Sequence, residues 1–572
     1  MRIFGLFLVS TISIMVITAC GGDQDKGSNE RLSGNKVLRI AEVNAPISIF
    51  PHKLTNNVEA LIASQIHEGL VKINPKDLSI MPGIAEKWEI GPDGKTITFF
   101  LRKDAQFQED EKVKGSNYKV TSKDVKFTFE LLCTNRKDNY HFQTVCKDRL
   151  VGANDYYVNS DKAEKNEIKG LKIIDDYTFS VELLNSPQIF LQILANPVAS
   201  IINKKVYDRR KDSLNTGLGP FIYDYKASNK KRHVLYRNKN YYAKNAKGES
   251  LPLIDSLIID VVASSEEALQ GFKSEKFDLI TSVPSNQLKS LVEENIGDFK
   301  GKSPRYIIEQ KPEMLSSFYA FNVNKEPFNN LKLRQAFNYA IDRNRIIEKV
   351  LFGQAHGPAE NGIVPPSFSY YPSHTIKGYT FDVEKAKALL KEAGYPEGKG
   401  LPEIQLLVNS GNSINNSVAV EIQKQLKNNI NVNIGFESIP ISEKFYLEVK
   451  GKAEMFREGW VADYPSPESF LSVFYGEPVT NDTSQMAFPN TTKYKNLEFD
   501  RYYKMGRDAV NTDSATKYFL IAEQILIDDA PLIPLWYDSN CRLINFRIKN
   551  FYTNALRFYD FTQVDIVDEP KQ

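Results

Sequence analysis

Residues 37–43 run Val-Leu-Arg-Ile-Ala-Glu-Val, an apolar and polar alternation that predicts a strand. Residues 56–70 change period: Val58, Leu61, Ile62 and Ile66 fall on one face of a helix, and a second strand starts at 70–73. Two further alternating segments flank Gly91-Pro92-Asp93-Gly94-Lys95, and Asp-Gly between strands predicts a hairpin with its second strand at 96–102. Thr121 to Asp124 supply cap residues for a helix over 125–134. An amphipathic helix over 384–394 stops at Gly394, with Pro396 beyond. A helix over 518–527 precedes a strand over 530–537. No internal repeat is visible, and the pattern by itself gives a mixed α/β protein of more than one domain.

The first 20 residues obey another rule. Arg2 is a minimal positive start, residues 3–17 are almost wholly apolar, and Ile17-Thr18-Ala19-Cys20 matches a lipoprotein cleavage site. The run is too short for a transmembrane anchor, which needs about 20 apolar residues. Residues 1–20 are thus read as a lipoprotein signal peptide, Cys20 as the lipidated residue and 21–36 as a flexible tether. The body is then exported and held at a membrane, facing the periplasm or the cell exterior.

A chain of 572 residues is long enough for two or three packed domains. Its net charge of +2, with no basic run longer than Lys230-Lys231-Arg232, gives no case for nucleic acid. Cys133 and Cys146, in an oxidising compartment, are expected to form a disulfide, which leaves Cys541 as a buried thiol. No CxxC pair exists and the six histidines lack ligand spacing, so no metal or cofactor is expected. No GxSxG, HExxH or Cys/His arrangement suggests an enzyme; Ser514 and Lys517 match SxxK as chance allows. Gly217-Leu218-Gly219 is not a phosphate loop, because Pro220 interrupts it.

Residues 454–470 concentrate the chemistry. Gly459, Trp460, Asp463 and Tyr464 put an open backbone position, an apolar wall and a carboxylate close together, and Pro465 and Pro467 forbid helix, so a loop is expected. Taken alone, the stretch could equally be an ordinary exposed loop after a strand. It resembles, however, the ligand-anchoring loop of the oligopeptide-binding proteins that serve ABC importers, where Gly-Trp-x-Ala-Asp-Tyr recurs with an Arg three residues before the Trp. Further resemblance lies in 318–343, in the 215–223 turn, in 252–262 around Asp255, and in 272–279, where Glu275 stands at a usual Gly. It spans about residues 37–560.

The resemblance implies a two-lobed periplasmic-binding-protein-like α/β fold with an extra α/β subdomain inserted in the first lobe. Lobe I is expected at 37–75, 191–315 and 537–572, the insert at 76–190 and lobe II at 316–536. It implies a monomer that closes on oligopeptides and delivers them to an ABC permease. Asp463 would pair with the peptide α-amino group, and backbone groups of Gly459, Trp460 and Val461 would face those of Thr55 to Asn57 across the ligand. Arg457 would hold a peptide carboxylate, or only a neighbouring acid such as Glu454 or Glu458. Trp460, Tyr464 and Tyr140 are candidate pocket walls, with core packing the alternative for Trp460 and Tyr140. Loop 409–416 lacks the His that some members keep, so the resemblance implies no particular ligand length. Same-fold receptors for nickel, haem or signalling peptides, or a surface lipoprotein without transport, are the rival readings.

Overall fold

A computed structural model describes residues 36–567, apart from 112, 114–117, 137–138, 140, 161–166, 214–215, 299–305, 411–412, 478, 480–486 and 510. The Cys20 lipidation site and Tyr140 lie outside the described residues. No helix among those described is long and apolar enough to cross a membrane.

Two long antiparallel strands, Tyr306–Phe321 and Leu532–Asn545, pair along most of their length and form the spine of an 11-stranded sheet. The C-terminal half of the first long strand pairs with Met455–Val461, and Ile404–Asn409 and Ile434–Ile439 lie beyond it. At the opposite end, Leu543 and Ile544 of the second long strand pair with Leu279–Ile280. Val37–Glu42, Ser256–Val261, Arg232–Arg237 and Phe221–Tyr223 continue that side. The spine therefore passes from one half-sheet to the other. Its register slips between Pro312 and Ser316, where proline has no N–H to give to a ladder.

Both half-sheets contain parallel pairs: Val37–Glu42 with Ser256–Val261, and Ile404–Asn409 with Ile434–Ile439. Parallel strands are covered by helices on both faces, which explains why neighbours on opposite faces, Val37 and Leu38, Ile40 and Ala41, and Leu406, Leu407 and Val408, are all buried. A separate antiparallel sheet orders Ala85–Ile90, Thr96–Leu101, Thr178–Glu182 and Leu171–Asp175 side by side. Its first turn is the expected hairpin: Asp93 accepts from the N–H groups of Lys95 and Thr96, at 3.0 and 2.9 Å. Helix Ser122–Leu132 starts with a capping box between Thr121 and Asp124, and sends Val125, Phe129 and Leu132 into the core over this sheet.

The structure corrects two expectations. Residues 455–461 are a strand and not a loop, because they pair in register with Leu315–Phe321; Pro465 and Pro467 act only beyond the end of that strand. Cys133 and Cys146 are buried free thiols, and no disulfide joins them. Both lie in an apolar core, where burial pushes the Cys133 thiol up and disfavours the thiolate that oxidation requires.

Glu275 has an identifiable cost. Helix Ser265–Lys273 ends in a Schellman turn, with Lys276 N–H donating to the Gly271 carbonyl at 2.8 Å and Glu275 N–H to Phe272 at 3.0 Å. That geometry holds Glu275 at φ 61, in the left-handed region that favours glycine. Glu275→Gly is expected to raise unfolding free energy by about 1 kcal/mol, read as a higher urea midpoint at unchanged slope.

Candidate functional site

The site is built on the strand Met455–Val461. One edge pairs with the first long strand throughout, while the other meets Ile404–Asn409 only at Met455 and Phe456. Ala462 N–H donates to the Met314 carbonyl at 2.9 Å, so alternation turns the backbone of Trp460 and Glu458 toward the long strand. Gly459 and Val461 then turn their N–H and C=O groups to the open edge, where no backbone partner lies among the described residues. The same alternation fixes the side chains. Arg457, Gly459 and Val461 share one face, and Glu458 and Trp460 share the other.

Arg457 and Trp460 therefore part company. Trp460 packs against the cluster of Phe318, Phe456 and Phe470, and its indole N–H is buried without a partner among the described residues. Arg457 folds over Gly459: a Cβ there would lie 3.2 Å from Nη2 and 3.6 Å from Cζ. The missing side chain of Gly459 thus makes room for the guanidinium. Neither acid neighbour takes that charge, since Glu454 pairs with Lys325 and Glu458 with Lys444, each at 3.7 Å. Arg457 forms no ion pair among the described residues. Opposite it stands Tyr319, whose hydroxyl is buried and has no partner among them either.

Asp463 comes next after the strand and Ala462, with its backbone held on both sides. Its N–H donates to Ser469 Oγ at 3.0 Å, and its carbonyl accepts from Asn196 Nδ2 at 2.8 Å. Its carboxylate makes no hydrogen bond or ion pair with the described residues. Asp463 is exposed to solvent, although segments 196–197 and 464–469 crowd around it. Lost hydration, and then the like charge of Glu468, push its carboxyl up to about 7. Tyr464 is no pocket wall. It is 2% exposed, packs into the core over the four-stranded sheet, and donates its hydroxyl to Glu468.

Two more carboxyls stand near the crossing of the long strands. Glu42, at the carboxyl end of Val37–Glu42, is raised to about 7, because burial outweighs the Thr281 hydroxyl that bonds it at 2.9 Å. Asp538 is raised to about 6 by burial, against the donors Ser317 Oγ at 2.7 Å and Trp536 Nε1 at 2.9 Å. Among the described residues, no three His, Cys, Asp or Glu side chains are placed to hold a metal ion.

Thr55 and Asn57 lie exposed at the start of helix Asn57–Ile66, which Asn56 caps. The Thr55 N–H is not free, because it and Thr55 Oγ1 donate to Glu59 Oε2 at 2.6 and 3.1 Å. Glu59 Oε1 also accepts from Ile47 and Ser48 N–H, at 2.7 and 3.1 Å. This buried carboxylate, missed in the sequence, shapes the whole 47–57 loop. Its signal is the Asn56-x-x-Glu59 spacing, although the Glu59 carboxylate takes the Thr55 N–H and not the Asn56 N–H that a capping box would use. Glu59→Ala strands four donors and is expected to cost about 2–4 kcal/mol in denaturant unfolding, with Glu59→Gln costing less.

With the geometry of the strand and its loop established, comparison places the chain. The model of bacterial extracellular solute-binding proteins, family 5 Middle, matches residues 79–482. The chain is 27% identical to "Heme-binding protein A" of Haemophilus influenzae and 26% identical to "Dipeptide-binding protein DppE" of Bacillus subtilis, with 98% of each chain covered in both cases. The Helicobacter pylori periplasmic binding protein DppA, solved with the peptide STSA, superposes with a TM-score of 0.77 at 24% identity, covering 94% of this chain and 99% of that one. The fold is the two-lobed α/β fold of that structure. The chain belongs to the bacterial extracellular solute-binding proteins of family 5.

Proposed function

We propose that this protein captures oligopeptides between two lobes outside the cytoplasm and hands them to an ABC permease. One observation carries the reading: an unpaired carboxylate, Asp463, on a loop fixed at both backbone groups, next to a free strand edge at Gly459 and Val461. A peptide has what this arrangement lacks, an α-ammonium for the carboxylate and a backbone to extend the sheet. An ammonium sealed in a cleft must be paired, and a charged hydrogen bond contributes about 1.5–3 kcal/mol. Arg457 is free to meet a peptide carboxylate. The relative named for dipeptides and the neighbour solved with a peptide support the same ligand class.

In this reading lobe I comprises 37–75, 191–315 and 537–572, the insert 76–190 and lobe II 316–536. The chain acts as a monomeric receptor, not an enzyme, anchored through lipidated Cys20 with 21–36 as tether. Haem is the second ligand class, carried by the name of the Haemophilus influenzae relative.

Calorimetry of the soluble form tests the reading, with pools of free and N-acetylated peptides of about three to five residues. Free peptides are expected to bind, while acetylation or Asp463→Asn weakens them by roughly 10- to 150-fold. Equal binding of both pools would refute the role of Asp463, and heat from haem alone would replace peptide as the ligand. The anchor must also be ionised. With its carboxyl at about 7, peptide affinity should fall about tenfold per unit as pH drops below 7. Titrations between pH 5 and 7.5 read this slope, and Asp463→Asn should flatten it.

A further inference from the structure

The loop that carries Asp463 is tied to distant parts of the chain at three points. Asn196 Nδ2 holds the Asp463 carbonyl. Tyr464 fills a place in the core over the four-stranded sheet. Glu468, with 0% of its side chain exposed, faces Arg149 Nη2 with both oxygens, at 3.1 and 3.2 Å. Tyr464 and Tyr503 donate their hydroxyls to the same carboxylate. Burial alone would raise the Glu468 carboxyl, but Arg149 and the two phenols hold it below the ordinary range.

Arg149 is prepared for this contact by its own surroundings. Its N–H donates to the Cys146 carbonyl at 3.2 Å, its carbonyl accepts from Leu184 N–H at 2.8 Å, and its Nε donates to the Thr144 carbonyl at 3.2 Å. Neither charge touches the Asp463 carboxylate, which stays open beside them.

We infer that Arg149 and Glu468 form a clasp between the lobes that positions the anchor loop, with Asn196 as its second tie. This rests on the reading of Asp463 as the ammonium anchor. Closing the clasp strips water from both charges, and the hydrogen bonds that form offset that loss; opening returns both to water. A buried pair of this kind stands near energetic balance, so it fixes the closed geometry and still lets go. Arg149 and Glu468 are thus positioning residues that act through Asp463.

The test needs no ligand for its first step. Small-angle X-ray scattering of the ligand-free chain is expected to show a larger radius of gyration for Arg149→Gln and Asn196→Ala than for the unaltered protein. In calorimetry, Arg149→Gln and Asn196→Ala should weaken free peptides about tenfold, the size of a linked conformational equilibrium. Both should keep the preference for free over acetylated peptide. Unchanged scattering and affinity in two folded single variants would overturn the clasp, as would loss of that preference. If Arg149→Gln does not fold, Asn196→Ala decides alone. If the unaltered chain binds no peptide, the peptide reading fails, while scattering still judges the clasp.

Discussion

The structure hangs on one buried carboxylate. Glu313 lies where the two long strands slip register, 1% exposed, and an unpaired charge at that depth would be very costly. Two arginines prevent this. Arg542, from the second long strand, reaches it at 3.2 Å, and Arg557, from the C-terminal segment, donates through Nε at 2.6 Å and also through Nη2. Arg542 is itself fully buried and donates to the Tyr559 hydroxyl at 2.9 Å. Met314 N–H then donates to the Ala555 carbonyl at 2.8 Å, so the C-terminal segment is laced onto the bend. Pro312 breaks the ladder, and the Glu313 network gives the break a single geometry. Every cleft group downstream of the bend, from Ser317 and Asp538 to the anchor strand, takes its position from it.

That position has an electrostatic consequence. Glu42, Asp463 and Asp538 are each raised into the range of 6 to 7, chiefly by burial. The arginines near the crossing are already engaged: Arg557 and Arg542 serve Glu313, and Arg149 serves Glu468. Arg557 and Arg542 still act on Glu42, and Arg557 on Asp538, but too weakly to offset burial. Arg457 stands apart, over Gly459 and beside Tyr319, as a lone cation on the same strand. Arg457 on the strand and Asp463 just beyond its end carry opposite charges.

Much of the fold is legible in the sequence because local signals agree with it. The Asp93-Gly94 hairpin, the Thr121 cap and the Gly394 stop depend on neighbours in sequence, and each forms where the pattern puts it. Periodicity places helix 518–527 and strand 530–537 but cuts them short; the helix runs Thr512–Asp529 and the strand Leu532–Asn545. Their extra length comes from packing and from a partner strand more than 200 positions away, which periodicity cannot register. The anchor strand reads as a loop for the same reason: its pairing with Leu315–Phe321 is long-range, while its prolines are local and conspicuous. In the site, spacing groups Arg457 with Trp460, and only the strand's alternation separates them. Arg149 and Asn196 are invisible in the sequence, since nothing around them marks a contact with residues 463 and 468.

Three carboxylates in this region differ in what satisfies them, and that difference assigns their roles. Glu59 is saturated by donors within 12 positions of it in sequence, so it shapes its own loop and has nothing left for a ligand. Glu468 is saturated by Arg149, 319 positions away, so its satisfaction depends on two parts of the molecule being together. Asp463 has a fixed backbone and a carboxylate without a partner among the described residues. Glu59 and Glu468 are both fully buried, while Asp463 is exposed. The source of the hydrogen bonds separates them further: one acid orders its own loop, one is joined to a distant segment, and one has no partner among the described residues.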